Sequence, residues 1–230
     1  MKKVKEQSGK NVGVCFQNRY NGATEKILEL LESRVLGEVK GARAFVTWNR
    51  QAGYYEESGW RGTWKKEGGG VLINQAIHTL DLLVYLLGKP EDVEASMENH
   101  HLKNVIEVED TVEAYMTFPF GNACFYATNA FAEDSLVLLE IVCENGKMRM
   151  EGNCLTDKAG EKKVYDFTKP QNWEGKSYWG HSHQACICDF YKSLAEGVAY
   201  RNSLESVEDT FELVMKIYEN CKDKMNLGGR

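Results

Sequence analysis

Apolar and polar positions alternate in some stretches of the chain and recur every three to four residues in others, and the switches between the two periods mark its elements. Val12, Val14 and Phe16 alternate with Gly13, Cys15 and Gln17, which predicts a short strand, and the ten polar residues before it read as the frayed end of a helix. Asn21 stands where it can N-cap a helix whose stripe is Ile27, Leu28, Leu30, Leu31 and Val35, with Gly37 as its stop. A strand is predicted from Val39 to Trp48. From Val71 to Leu87 the apolar positions Leu72, Ile73, Ala76, Ile77, Leu80, Leu83, Val84 and Leu87 keep helical spacing, ended by Gly88 and Pro90, and predict a buried helix. Strands near 92–100, 110–118, 121–131, 135–144 and 146–152, with turns at Phe120-Gly121-Asn122 and Asn145-Gly146, predict a meander. The stretch SLVLLEIVC is apolar on both faces, which predicts a sheet covered by helices on one side and by another subunit on the other. Two helices, roughly 181–196 and 204–222, close the chain, the second opened by the capping-box-like Ser203, Ser206 and Glu208. The order strand, helix, strand, helix, sheet, helices makes the fold α+β.

Composition narrows the classes of function. The 230 residues suffice for one sizeable core. A net charge of −6 repels phosphate backbones and anionic lipid, which argues against nucleic acid and membrane as partners. No stretch approaches the roughly 20 apolar residues of a membrane helix, and MKKVKEQSGK is followed by no apolar signal core, so the chain reads as soluble and cytoplasmic. Seven cysteines, an odd number in a domain large enough to fold without staples, predict reduced thiols. Cys186 and Cys188 are two apart in a helical pattern and face different ways, which argues against a metal or redox pair.

Candidate chemistry concentrates around the buried helix. Asn74, His78 and Asp81 are spaced by four and three, on one face of an otherwise apolar helix, and three such groups must find partners. Either His78 is a core histidine bonded to Asp81 or to backbone, or it is an oriented imidazole able to exchange a proton with a substrate hydroxyl. Gly68-Gly69-Gly70 leads into this helix, where free N–H groups could meet an anion or the glycines could simply let the helix pack closely. Residues 50–70 have neither period yet carry Tyr54, Tyr55, Trp60 and Trp64 with Arg61 and six glycines, a loop able to line a sugar cleft or to plug a core. His100-His101 and the pair His181 and His183 lack an acidic or thiolate set at ligand spacing, so no metal is expected. G-x-G-x-x-G and G-x-S-x-G are both absent from the sequence.

The string YYEESGWRGTWKKEGGGVLINQAIHTLDLLVYLLG resembles the substrate-domain segment of the Gfo/Idh/MocA family of NAD(P)-dependent sugar dehydrogenases. Its pattern GGG-x5-A/G-x-H-x2-D-x4-L-x-G is a hallmark of that family, flanked in order by VCFQNRYN, VEDTVEAYMTFPFGNACFYATNAF and GHSHQACICDFYKSLAEG, so the likeness spans about residues 9–222. It implies an open, mainly antiparallel sheet with helices on one face, the other face serving subunit pairing around Leu136 to Ile141. It implies that residues 1–18 are a remnant of a Rossmann domain and 19–230 a substrate-binding and oligomerisation domain. The strand at Val12, Val14 and Phe16, deprived of its sheet, should then pair with another chain or stay mobile. The Glu-Lys-Pro motif found upstream in the family is absent here. NAD or NADP would serve the full-length parent, with none bound to this chain. The implied activity is hydride transfer between the cofactor and a sugar or cyclitol hydroxyl, with His78 handling the proton or orienting the hydroxyl. Asn74 stands where the family typically has Asp; it can bond a hydroxyl but cannot act as a base. Arg19, Tyr55, Trp60 and Arg61 fall where the family's substrate cleft is lined. The rival reading is a non-catalytic sugar-binding or oligomerisation module.

Overall fold

The strands are β1 (Val39–Thr47), β2 (Asp92–Glu98), β3 (Thr111–Phe118), β4 (Gly121–Thr128), β5 (Leu138–Cys143), β6 (Gly146–Glu151), β7 (Cys154–Ala159) and β8 (Glu161–Asp166). In the computed structural model, which describes residues 1–159, 161–168 and 182–221, they form one sheet in the order β2-β3-β4-β1-β5-β6-β7-β8. All neighbours are antiparallel except β1 and β4, which are parallel because the chain crosses over between them through a helix. The predicted meander is therefore split, with β1 inserted between β4 and β5.

The helices are α1 (Lys2–Ser8), α2 (Gly22–Glu32), the short α3 (Ala52–Glu56), α4 (Ile77–Leu87), α5 (His183–Glu196) and α6 (Glu208–Cys221). Strand alternation sends one set of side chains toward α2, α4 and α6: the row Ala114, Phe125, Ala44, Leu139, Met150 and Leu155 crosses six strands and is buried throughout, against Ile27, Leu80, Leu83 and Ile217. Each fully buried Leu, Ile or Phe in that layer contributes about 1.5–3 kcal/mol. The architecture is α+β, a mixed and mainly antiparallel sheet with these three helices on one face.

Several expectations change. Residues 12–16 are not a strand; an isolated bridge joins Gly13 to Ser203, Val14 N–H donates to Asn202 O at 2.9 Å, and the Asn202 amide donates to Phe16 O at 3.0 Å. Their partner is the chain's own segment 202–203. On β5, Leu139, Ile141 and Cys143 face the helices, while Leu138, Glu140 and Val142 face away. Glu140, 4% exposed, lies among Arg43 at 2.8 Å, Lys147 at 3.1 Å and Arg149 at 3.8 Å, so an ion cluster interrupts the second apolar face. The β7–β8 hairpin was not predicted. The helix expected over 71–87 opens as a π turn, Leu72–Ala76, before α4. Among the described residues no helix is long and apolar enough to cross a membrane.

Candidate functional site

The three polar groups of the central helix part company. Asp81 is fully buried, and its carboxylate accepts from Arg19 Nε at 2.8 Å, Arg19 Nη2 at 2.5 Å and the Thr210 hydroxyl at 2.8 Å. Arg19 is 1% exposed; it also donates to Ser206 O at 3.2 Å and lies 4.5 Å above the Tyr85 ring. This guanidinium ties the turn before α2 to α4 and α6 inside the core and does not line a cleft, contrary to the expectation for Arg19. Removing one partner of such a buried pair costs about 3–5 kcal/mol.

His78 is left to itself. Phe16 meets its ring edge-on at 5.5 Å, and its buried Nδ1 has no hydrogen-bond partner among the described residues. Burial first, and the neighbouring His183 at the start of α5 second, push its pKa down to about 4. The imidazole is thus neutral at pH 7, with one nitrogen to donate and one to accept. A buried nitrogen left unpaired costs about 1–3 kcal/mol, which a bound hydroxyl would relieve. One turn earlier, half-buried Asn74 donates from Nδ2 to Glu67 Oε1, and Glu67 Oε2 accepts the N–H of Gly62. The π turn keeps Asn74 and His78 on nearly the same side of the helix and marks a site where the regular ladder gives way.

The glycine run does meet an acidic group, and that group is internal. Glu109 Oε1 accepts from Gly70 N at 2.9 Å, from Leu72 N at 3.1 Å and from the Tyr218 hydroxyl at 2.9 Å. The N–H groups of Gly70 and Leu72 are therefore spent on Glu109 and are not offered to a cofactor's phosphate.

The aromatic loop divides as well. Tyr55 is 5% exposed; it packs with Leu102, Ile106 and Val108, and its hydroxyl accepts from Asn129 at 3.0 Å, so it fills a satellite core instead of lining a cleft. Asn129 also donates to Gln75, and Gln75 donates to the Tyr54 hydroxyl at 3.2 Å, which fastens the loop to the π turn. Trp60 stays 43% exposed, and the Arg61 guanidinium lies 4.8 Å above it and 4.3 Å above Tyr54, with a buried Nε that has no partner among the described residues. The structure thus places Arg19 and Tyr55 in the core, leaves Trp60 exposed, and keeps Asn74, His78 and Arg61 partly buried. Glu67 and Glu109 are the residues that sequence reasoning missed, and His183, weighed there only as a metal ligand, stands next to His78 instead. His100 and His101 give their backbone N–H groups to buried Asp110 at 3.0 and 2.8 Å, and His181 lies outside the described residues. No group of three or more His, Cys, Asp or Glu among the described residues could hold a metal ion.

No curated protein matches the chain. Solved structures do. An oxidoreductase from Agrobacterium radiobacter, in complex with NAD+, L-tartaric acid and magnesium, superposes with a TM-score of 0.82 at 18% identity, over 96% of this chain and 66% of its own. The WlbA dehydrogenase from Chromobacterium violaceum, in complex with NADH and UDP-GlcNAcA, gives 0.78 at 25% identity, over 96% and 64%. A levoglucosan dehydrogenase bound to NADH and levoglucosan gives 0.77 at 20%, over 92% and 64%. The chain spans just under two thirds of the length of these proteins. The family model of the GFO/IDH/MocA C-terminal domain matches residues 24–149, from α2 through the π turn and α4 to β6, and on that match the chain belongs to the GFO/IDH/MocA family.

Proposed function

We propose that this chain is the substrate-binding and assembly part of a cytoplasmic oxidoreductase that acts on a hydroxyl of a sugar or cyclitol derivative. The observation that carries the reading is the neutral imidazole of His78, its buried Nδ1 unpaired among the described residues, one turn from Asn74. A substrate hydroxyl that donates to His78 fills the vacant hydrogen bond and is held for removal of its proton. With a pKa of about 4 the ring is a weak base, so it orients the hydroxyl more than it takes the proton. The Arg61 guanidinium, beside Trp60, would meet ligand oxygens, and the exposed face of Trp60 suits the C–H surface of a sugar ring. NAD or NADP would be the hydride partner, held by another domain or chain, of which residues 1–18 would be the trailing end. The open face of the sheet would pair two copies.

A thermal-shift titration with UDP-GlcNAcA, levoglucosan and L-tartrate tests the site. One of the two sugars should raise the melting temperature in a saturable way, and His78→Ala should weaken that binding about tenfold, the loss of one hydrogen bond from a buried group. Equal protection of wild type and variant would overturn the role of His78, and saturable micromolar binding of NADH to this chain alone would overturn the division of labour. The module reading finds support at the entry to the helix, where the N–H groups of Gly70 and Leu72 are spent on Glu109. It would be upheld if a cofactor-binding partner domain failed to restore turnover.

A further inference from the structure

Glu67 closes the aromatic loop. Its backbone N–H donates to Thr63 O at 3.0 Å, and Gly68, at φ +87°, then turns the chain so that the carboxylate comes back against the helix that follows. There it bonds the Asn74 amide with one oxygen and the Gly62 N–H with the other. The two contacts lock the carboxylate between the loop that carries Trp60 and Arg61 and the π turn that carries Asn74.

We propose that Glu67 is a positioning residue that fixes the Asn74 amide in one orientation, with Oδ1 offered to a substrate hydroxyl beside His78. The inference rests on the reading of this site as a hydroxyl-binding one. A carboxylate only accepts hydrogen bonds, whereas an amide donates from nitrogen and accepts at oxygen, so only the NH2 end of Asn74 can face Glu67. Oδ1 is thereby turned away from Glu67, and the anion on the far side of the amide polarises it into a stronger acceptor. The pair is selective by chemistry. The Asn74 oxygen, an acceptor only, suits a group that carries a proton, an alcohol, and itself offers nothing to a carbonyl at the same place. The negative charge that an aspartate at position 74 would bring to the substrate is set one side chain further back.

The test uses the whole chain labelled with 15N, the Asn74 side-chain amide being assigned by its loss in Asn74→Asp. In the wild type one Hδ2 proton should lie downfield and exchange slowly with solvent; in Glu67→Gln that exchange should quicken about tenfold or more, as expected for loss of a hydrogen bond to a charged group. Equal, unprotected Hδ2 protons in the wild-type spectrum would overturn the proposal without any variant, and so would unchanged protection in a folded Glu67→Gln. In the second arm, levoglucosan or UDP-GlcNAcA should bind Glu67→Gln about tenfold more weakly than wild type, and unaltered affinity would overturn the link to substrate. If neither sugar binds the wild type, the reading of the site as hydroxyl-binding falls, while the exchange data still decide whether Glu67 holds Asn74.

Discussion

Glu109 and His78 store their burial with opposite signs. Burial raises Glu109 from the ordinary 4.5 to about 7, against the pull of the three hydrogen bonds it accepts. Its folded pKa therefore lies above the unfolded one, and the stability it contributes is complete below about pH 4.5 and lost as pH rises through 7, a loss of roughly 3 kcal/mol. His78 is lowered from 6.5 to about 4; its contribution is complete above pH 6.5 and lost as pH falls through 4. Between about 4.5 and 6.5 the two slopes oppose each other, and above 6.5 only Glu109 still changes. Glu109→Gln cannot ionise and keeps an acceptor for Gly70, Leu72 and Tyr218. Urea unfolding at pH 5 and pH 8 should show the variant gaining roughly 2–3 kcal/mol relative to wild type between the two. A difference that stays constant with pH would mean that Glu109 titrates in the folded chain as it does in the unfolded one.

The glycine run and the helix behind it act as one element. A Cβ on Gly70 would lie 2.0 Å from the Glu109 carbonyl oxygen and one on Gly69 would lie 1.9 Å from the Tyr218 hydroxyl, whereas Gly68 has open space and only its positive φ to defend. Gly68→Ala should cost about 1 kcal/mol in urea unfolding and Gly70→Ala about 3 kcal/mol, because the latter must push backbone apart. Equal costs would show that the close approach is not what the glycine serves. The helix over 71–87 was legible because its apolar spacing is unbroken, and the placing of Asn74 and His78 on nearly the same side followed from the same spacing. The reason for the glycines was not legible, since the carboxyl group that Gly70 meets lies 39 residues further on; nor was the Arg19–Asp81 pair, 62 residues apart. Tyr55 and Trp60 look alike in a loop sequence, and only tertiary packing buries one and exposes the other. Alternation at 12–16 reveals faces without revealing a neighbour, so a bridged segment passed for a strand. Among the described side chains of β7 only Leu155 is apolar and sealed in the core, and β8 is mostly charged, which leaves the period of two too faint to see.

At the scale of the molecule the open face of the sheet is divided by charge. Glu94, Glu98 and Glu113 project from β2 and β3, Arg43, Lys147, Arg149, Lys158 and Lys162 from the strands on the other side, and Phe45, Tyr115 and Tyr126 lie between around a shallow hollow. Exposed Val142 and Val164, with Leu136 at 57% exposure, add apolar area at the basic end. Two such faces stacked about a two-fold axis that runs along the strands bring each acidic half over the partner's basic half. An axis running across the strands would set like over like, so charge selects the first arrangement and the aromatic centre supplies the buried contact. Light scattering at micromolar concentration should therefore give the mass of a dimer. Glu94→Lys with Glu113→Lys makes the face predominantly basic, and Lys147→Glu with Arg149→Glu makes it largely acidic. Each double variant should dissociate at least tenfold more readily than wild type, while an equimolar mixture of the two should recover the dimer mass. A monomer at every concentration, or two variants that stay apart when mixed although circular dichroism shows both folded, would remove this face as the place where two copies meet.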